Sequence, residues 1–195
     1  MRVLVACEFS ATVRDAFRAR GHDAWSCDLL PTEGDPRWHI QDDVFEAIKD
    51  GWDLMIAHPP CTDLAVSGAR WFPAKRADGS QQRALDFVRM LLDAPIARIA
   101  LENPVSVISS HIRRPDQIIH PWQFGHPEAK TTCLWLKGLP HLVPTDVLPL
   151  PASGRWSNQT ASGQNKLGPS PTRWAERSRT YDGSATAMAD QWGDQ

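Results

Sequence analysis

The sequence has no apolar run approaching the ~20 residues that a membrane-spanning helix needs, so a soluble protein without a membrane partner is expected. Cysteine is sparse: Cys7, Cys27, Cys61 and Cys133 are scattered, with no Cys-x-x-Cys pair and no metal-ligand spacing among the histidines. Free thiols in a reducing cytoplasm and no bound metal are therefore expected. MRVLVACEFS reads as a first strand, not as a secretory leader. Neither sign of charge dominates. A formal net charge of -2 excludes a uniformly basic nucleic-acid binder and leaves only a local basic patch. No G-x-G-x-x-G follows the first strand and no G-x-x-x-x-G-K-[ST] occurs, so a glycine loop cradling a dinucleotide or triphosphate is disfavoured. There is no internal repeat. At 195 residues, one domain is expected.

What is present is an alternation of short apolar runs and amphipathic segments. Residues 2–7 (RVLVAC) predict a strand; Val13, Ala16 and Phe17 then recur at helical spacing until Gly21. Residues 23–28 predict a second strand, 44–49 a short helix, 54–57 (LMIA) a strand, 82–92 a helix and 97–101 (ARIAL) a strand. This pattern predicts a doubly wound, Rossmann-like α/β sheet, mostly parallel. Residues 119–136 carry two aromatic or β-branched runs around Gly-His-Pro, which predicts an antiparallel hairpin at the sheet edge. The organisation expected is a core over 1–143, an irregular basic and aromatic segment over 144–182, and a helix over 183–195 docking on the core. In that helix Ala185, Met188, Ala189 and Trp192 fall at helical spacing.

Ligands of open α/β sheets bind beyond the carboxyl ends of the strands. The residues just past the predicted strands are Glu8-Phe9-Ser10, Asp28, Pro59-Pro60-Cys61 and Glu102-Asn103-Pro104, with Asp42-Asp43 after a short third strand. Asp28 and Asp43 are the right type to accept from ribose hydroxyls and an adenine amine, and equally the right type for turns and helix caps. Phe9 could stack on a ring. The two prolines end a strand and present Cys61 rigidly, as either a buried small thiol or a nucleophile. His58 could stand near Cys61 and lower its pKa, or be a satisfied structural histidine.

These residues resemble the cytosine carbon-5 DNA methyltransferases, in particular small, phage-type members, within the S-adenosylmethionine-dependent Rossmann-like class. The motifs are VLVACEFSATVRDAF, SCDLLP, DDV, PPC and ENP, with Glu102 of ENP 41 residues after Cys61 of PPC; GSATAMADQW echoes the family's last motif. The resemblance implies S-adenosylmethionine as cofactor, held by Cys7, Glu8, Phe9, Ser10, Asp28, Leu29, Asp43, Val44, His58 and Pro59. It implies DNA, double- or single-stranded, as partner, in a bacterial or phage-infected cell. Cys61 would be the thiolate that adds to carbon-6 of cytosine, and Glu102 the carboxyl that acts on ring nitrogen 3. Asn103 and Pro60 would shape that catalytic loop.

Three features depart from the family. Ala11 stands where larger members carry glycine and would narrow the methionine pocket. The Gln-x-Arg-x-Arg segment is not legible, with Lys130 and His126 in its place. The interval that usually holds a target-recognition domain is too short for one. In its place Arg155, Lys166, Arg173, Arg177 and Arg179, interleaved with Trp156, Trp174 and Tyr181, suit phosphate contact and base stacking, or else form a solvated loop whose tryptophans pack on the sheet. With Lys130 they are the expected nucleic-acid contacts, and specificity should be short or absent. Rival readings are the same chemistry on a free pyrimidine nucleotide, an amino-methyltransferase, and a non-catalytic nucleic-acid-binding module. His58 and Cys61 beside the prolines argue against the second. A zinc deaminase is excluded because position 64 is Leu64, not the second cysteine its signature requires.

Overall fold

The computed structural model describes residues 1–162, 165–168 and 170–194. Seven strands form one sheet: β1 Arg2–Ala6, β2 Asp23–Cys27, β3 His39–Ile40, β4 Leu54–Ala57, β5 Arg98–Pro104, β6 Gln117–Ile119 and β7 Thr132–Lys137. Their order is β3-β2-β1-β4-β5-β7-β6. The first five are mutually parallel, and β7 runs antiparallel to both its neighbours. This is the expected mostly parallel sheet with an antiparallel pair at its edge. The pair's turn is longer than Gly-His-Pro alone, because β6 ends at Ile119 and β7 begins at Thr132.

The apolar runs are continuous because both faces of the parallel strands are covered. Alternate residues point to opposite sides. Leu4, Met55, Ile99 and Trp135 face α4 (Ser80–Leu92) and α2 (Val44–Ala47), meeting Leu85, Val88, Leu91 and Val44. Val3, Val5, Leu54, Ile56 and Leu134 face α1 (Thr12–Ala19) and α7 (Asp182–Trp192), meeting Val13, Phe17, Met188 and Trp192. On α7, Trp192 is fully buried and its Nε1 donates to the Pro140 carbonyl at 3.0 Å.

Three short helices were not legible in the sequence: α3 (Phe72–Ala77), preceded by a 3-10 stretch over Val66–Trp71, α5 (Ile108–His111) and α6 (Arg173–Ser178). The segment expected to be irregular over 144–182 thus contains one helical element. Its aromatic residues divide. Trp156 is buried in a stack on Trp122, centroids 6.5 Å apart, whereas Trp174 stays largely exposed. Among the described residues no helix is long and apolar enough to cross a membrane, and no cluster of His, Cys, Asp and Glu is arranged to hold a metal ion.

Candidate active site

The register of the sheet sets the site. Ala6 pairs with both Cys27 and Ala57, and Ala57 pairs with Leu101. The residues that follow, Asp28, Cys7, His58 and Glu102, therefore lie in one row along the carboxyl edge. The backbone bonds His58 N–H to Ala6 O (2.9 Å) and Asp28 N–H to Ile40 O (3.2 Å) carry the ladder one step beyond the strands and hold that row.

On one side of the row lies a cavity of about 290 Å³, lined by Cys7, Asp28, Leu29, Asp43, Val44 and Pro60 among others. This is at the small end of ligand sites, which run from about 300 Å³. Five of the ten residues expected to hold a cofactor meet here, together with Pro60 from the catalytic group. Each acid also has a local task. Asp28 accepts from Leu30 N–H at 2.9 Å, and Asp43 caps α2 by accepting from Phe45 N–H at 2.9 Å. The cap and ligand readings are thus compatible, since a carboxylate has more acceptor sites than one N–H uses. Sequence reasoning missed Asp63, Ala84 and Phe87, which line the far wall. They come from the loop after Cys61 and from α4, not from strand ends.

The other five residues of that group are placed differently. Glu8 is buried, and its carboxylate accepts from Val13 N–H (2.7 Å), Arg14 N–H (3.2 Å) and Ser10 Oγ–H (3.3 Å), closing the N-terminus of α1. Burial pushes its pKa up, against the lowering effects of His58 and those N–H donors. Phe9 packs on Trp174 with centroids 5.5 Å apart, so its ring meets the chain's own tail. Pro59 is buried, and its carbonyl accepts from Asn103 Nδ2–H at 2.9 Å. His58 faces Glu102, with Nδ1 2.9 Å from Oε2.

Cys7 and Ala11 both adopt the left-handed region, with φ of 59° and 66°. For residues other than glycine that costs about 1–2 kcal/mol each. Such strain in the loop after the first strand is what a site held in a demanding shape carries. The methyl of Ala11 packs toward Gly34: a Cβ built on Gly34 would lie 2.7 Å from it and 2.6 Å from the Arg14 guanidinium. Glycine is thus required at position 34 by the side chain at position 11. The Cys7 thiol is pushed far up, first by burial and then by Asp28, Cys27 and Asp43, so it is a neutral wall of the cavity and not a nucleophile.

Beyond the cavity stands the Pro60-Cys61 turn. Cys61 is exposed, and its carbonyl accepts from Leu64 and Ala65 N–H at 3.0 and 2.9 Å, which fixes the turn that presents the side chain. The protein mass around the thiol is nonetheless dense enough for desolvation to push its pKa up. Arg177 pulls it down, Glu102 pushes it up and Lys130 pulls it down. Glu102 is buried. Burial alone would raise its pKa, but Lys130 and the hydrogen bond from His58 outweigh that and hold the carboxyl below its ordinary value. Lys130 itself donates to the Arg179 carbonyl at 3.2 Å.

In the tail, Arg155 donates to Ala161 O at 2.9 Å, Arg173 donates to Leu167 O, and Arg179 pairs with Glu33 at 2.6 Å. These three spend donors within the chain. Lys166 and Arg177 are exposed and show no side-chain hydrogen bond or ion pair among the described residues. Of the six expected nucleic-acid contacts, Arg177 and Lys130 are brought to the thiol, and the others are distributed over the segment outside it.

No protein-family model matches the sequence, and no curated protein matches it. Among solved structures it is similar to the crystal structure of an E. coli prophage protein to which DNA modification methyltransferase activity is ascribed. The similarity has a TM-score of 0.51 at 16% identity, over 79% of this chain and 53% of the other. The chain therefore spans about half the length of that structure. The likeness shows a shared Rossmann-like α/β fold.

Proposed function

We propose that the protein is an S-adenosylmethionine-dependent methyltransferase acting on carbon-5 of cytosine in DNA through a covalent Cys61 adduct, with low or short sequence specificity. The observation that carries this reading is the single row at the sheet edge. A cavity with Asp28 and Asp43 on its wall adjoins the Pro60-Cys61 turn, and Glu102 and Asn103 stand on the next strand. The shared fold with a structure described as a DNA modification methyltransferase supports it. The cavity fits the adenosine part of the cofactor: among its four acids, Asp28 and Asp43 for hydroxyl and amine donors, apolar walls from Leu29, Val44 and Phe87, and no glycine loop for phosphates.

S-adenosylmethionine supplies an electrophilic methyl carbon. The chain's residues supply the rest. Carbon-5 of cytosine is a poor nucleophile until carbon-6 is attacked, and Cys61 as thiolate forms that bond. Arg177 and Lys130 favour the thiolate. Glu102 hydrogen-bonds to, or protonates, ring nitrogen 3, which takes up the electron density displaced by the thiolate. Asn103 ties β5 to the Pro59 carbonyl and so sets the distance between the two groups. Loss of the carbon-5 proton and expulsion of the thiol end the cycle. The base must leave its stack to reach this edge.

The test is transfer of label from S-adenosylmethionine to duplex DNA, single-stranded DNA and free deoxycytidine nucleotides, with Cys61→Ser alongside. Label in cytosine of DNA that disappears with the serine variant is expected. Label confined to free nucleotides would move the substrate to the precursor pool, a reading favoured by the absence of any further sheet among described residues 138–194. Binding of cofactor without transfer to any acceptor would refute the catalytic reading.

A further inference from the structure

We propose that His58 is a positioning residue for Glu102, and that it supplies and takes back the proton Glu102 delivers to the substrate ring. The inference rests on the cytosine reading above and deepens it. His58 follows the last residue of β4, and its row neighbour on β5 is Glu102; Nδ1 and Oε2 are 2.9 Å apart, with each side chain only 9% exposed. At this distance Nδ1–H of His58 donates to the carboxylate, which when ionised can only accept. His58 thus hydrogen-bonds the carboxyl, and the groups that act on the Cys61 thiol are Arg177, Glu102 and Lys130.

The arrangement answers a chemical need. Lys130 and His58 hold Glu102 in its ionised form, and an ionised carboxylate only accepts hydrogen bonds. It cannot act on ring nitrogen 3 until a proton reaches it, and the nearest group that can carry one is the His58 imidazole. Other charges face the pair. Glu8, from the loop after β1, also feels the charge of His58, which lowers the Glu8 pKa against burial. Lys130 acts on Glu102 from the β6–β7 connection, while Cys61 and Cys133 border the carboxyl. His58 Nε2 is buried and has no hydrogen-bond partner among the described residues, so no second bond in the protein fixes the ring or competes for its proton.

The step balances as follows. The thiolate pair of Cys61 forms the bond to carbon-6, and the π electrons of the 5,6 bond move to the 4,5 position. The 3,4 π pair moves onto nitrogen 3 and takes a proton from Glu102, which has received it from Nδ1–H of a His58 imidazolium, leaving His58 a neutral imidazole. Once carbon-5 has gained the methyl group, its proton leaves to a solvent base, the C–H pair forms the 5,6 double bond as Cys61 departs as thiolate with the sulfur–carbon-6 pair, and the proton on nitrogen 3 returns through Glu102 to His58, leaving both groups as they began.

His58→Asn keeps a donor close to the Nδ1 position but carries no transferable proton. The expected result is unchanged melting and unchanged S-adenosylmethionine binding, a fall of about 10²-fold or more in methyl transfer, and loss of one limb of the pH–rate profile. In protein labelled with ¹⁵N-histidine, a downfield His58 Nδ1–H proton signal should be present in wild type and Cys61→Ser and displaced in Glu102→Gln. A His58→Asn enzyme with wild-type rate and pH profile, or a His58 signal indifferent to Glu102→Gln, would overturn the relay while leaving the methyltransferase reading intact. Absence of transfer by wild type, with the signal present and coupled to Glu102, would overturn the methyltransferase reading and the relay with it.

Discussion

Cys61 is accessible, yet its surroundings favour the protonated thiol, so reactivity depends on the cations that face it. Arg177 is the strongest of these. Arg177→Ala removes a charge that lowers the thiol pKa, so that pKa rises and the thiolate fraction at neutral pH falls. Iodoacetamide alkylation of Cys61 should slow in this variant and its pH dependence should move to higher pH, while Cys27, buried and pushed up to about 11, should react in neither protein. An unchanged alkylation curve would remove Arg177 from the site. Cys7 gives the contrast at the same scale: with the same functional group and two neighbouring acids, it serves only as a wall.

At the scale of elements, Glu8 ties the first strand to the first helix. Its carboxylate accepts from two N–H groups at the start of α1, and Glu8→Ala should cost about 1 kcal/mol in stability, as loss of a helix cap does. The pH dependence has a definite sign. The folded-state pKa of Glu8 is raised, so its contribution is largest below the ordinary carboxylate pKa and is lost as pH rises through the folded value. Glu8→Gln cannot titrate. Its melting temperature relative to wild type, followed by thermal denaturation, should therefore move upward as pH rises above the ordinary carboxylate pKa. A relative shift in the other direction would mean that the cap favours the ion.

The same scale shows what was readable in the sequence. The five parallel strands were legible because burial on both faces forces short, unbroken apolar runs. Their ends located Asp28, His58 and Glu102 on one edge. The sequence TDLAVSGARWFPAKRADG concealed α3, because glycine, proline and exposed aromatics interrupt the helical period. Phe87 and Asp63 were missed because a helix face and a loop, which no strand-end rule reaches, complete the cavity. Glu8 and Phe9 had the right place in the chain for a cofactor; hydrogen bonding and ring packing gave them partners inside the protein.

For the whole molecule, a net charge of -2 means that nucleic-acid binding must come from a local concentration of cations. In the proposed reading the cations of the tail supply it; Trp174 and Arg179 are held near the carboxyl edge through Phe9–Trp174 and Glu33–Arg179. Lys166→Ala should weaken binding of all DNA sequences alike and lower the salt slope by about one unit, measured by fluorescence anisotropy across salt concentrations. Arg155→Ala should do less, because that guanidinium already donates to Ala161. Equal slopes in wild type and Lys166→Ala would place the DNA elsewhere.

The central claim is the covalent bond between Cys61 and a cytosine in DNA. DNA containing 5-fluorocytosine tests it directly, because the carbon-5 substituent cannot leave as a proton and the adduct persists. Incubated with S-adenosylmethionine and this DNA, the protein should gain the mass of a nucleotide adduct on the peptide that contains Cys61, and Cys61→Ser should gain none. An enzyme that transfers methyl groups to DNA with no adduct, or with the adduct on another residue, would contradict the account.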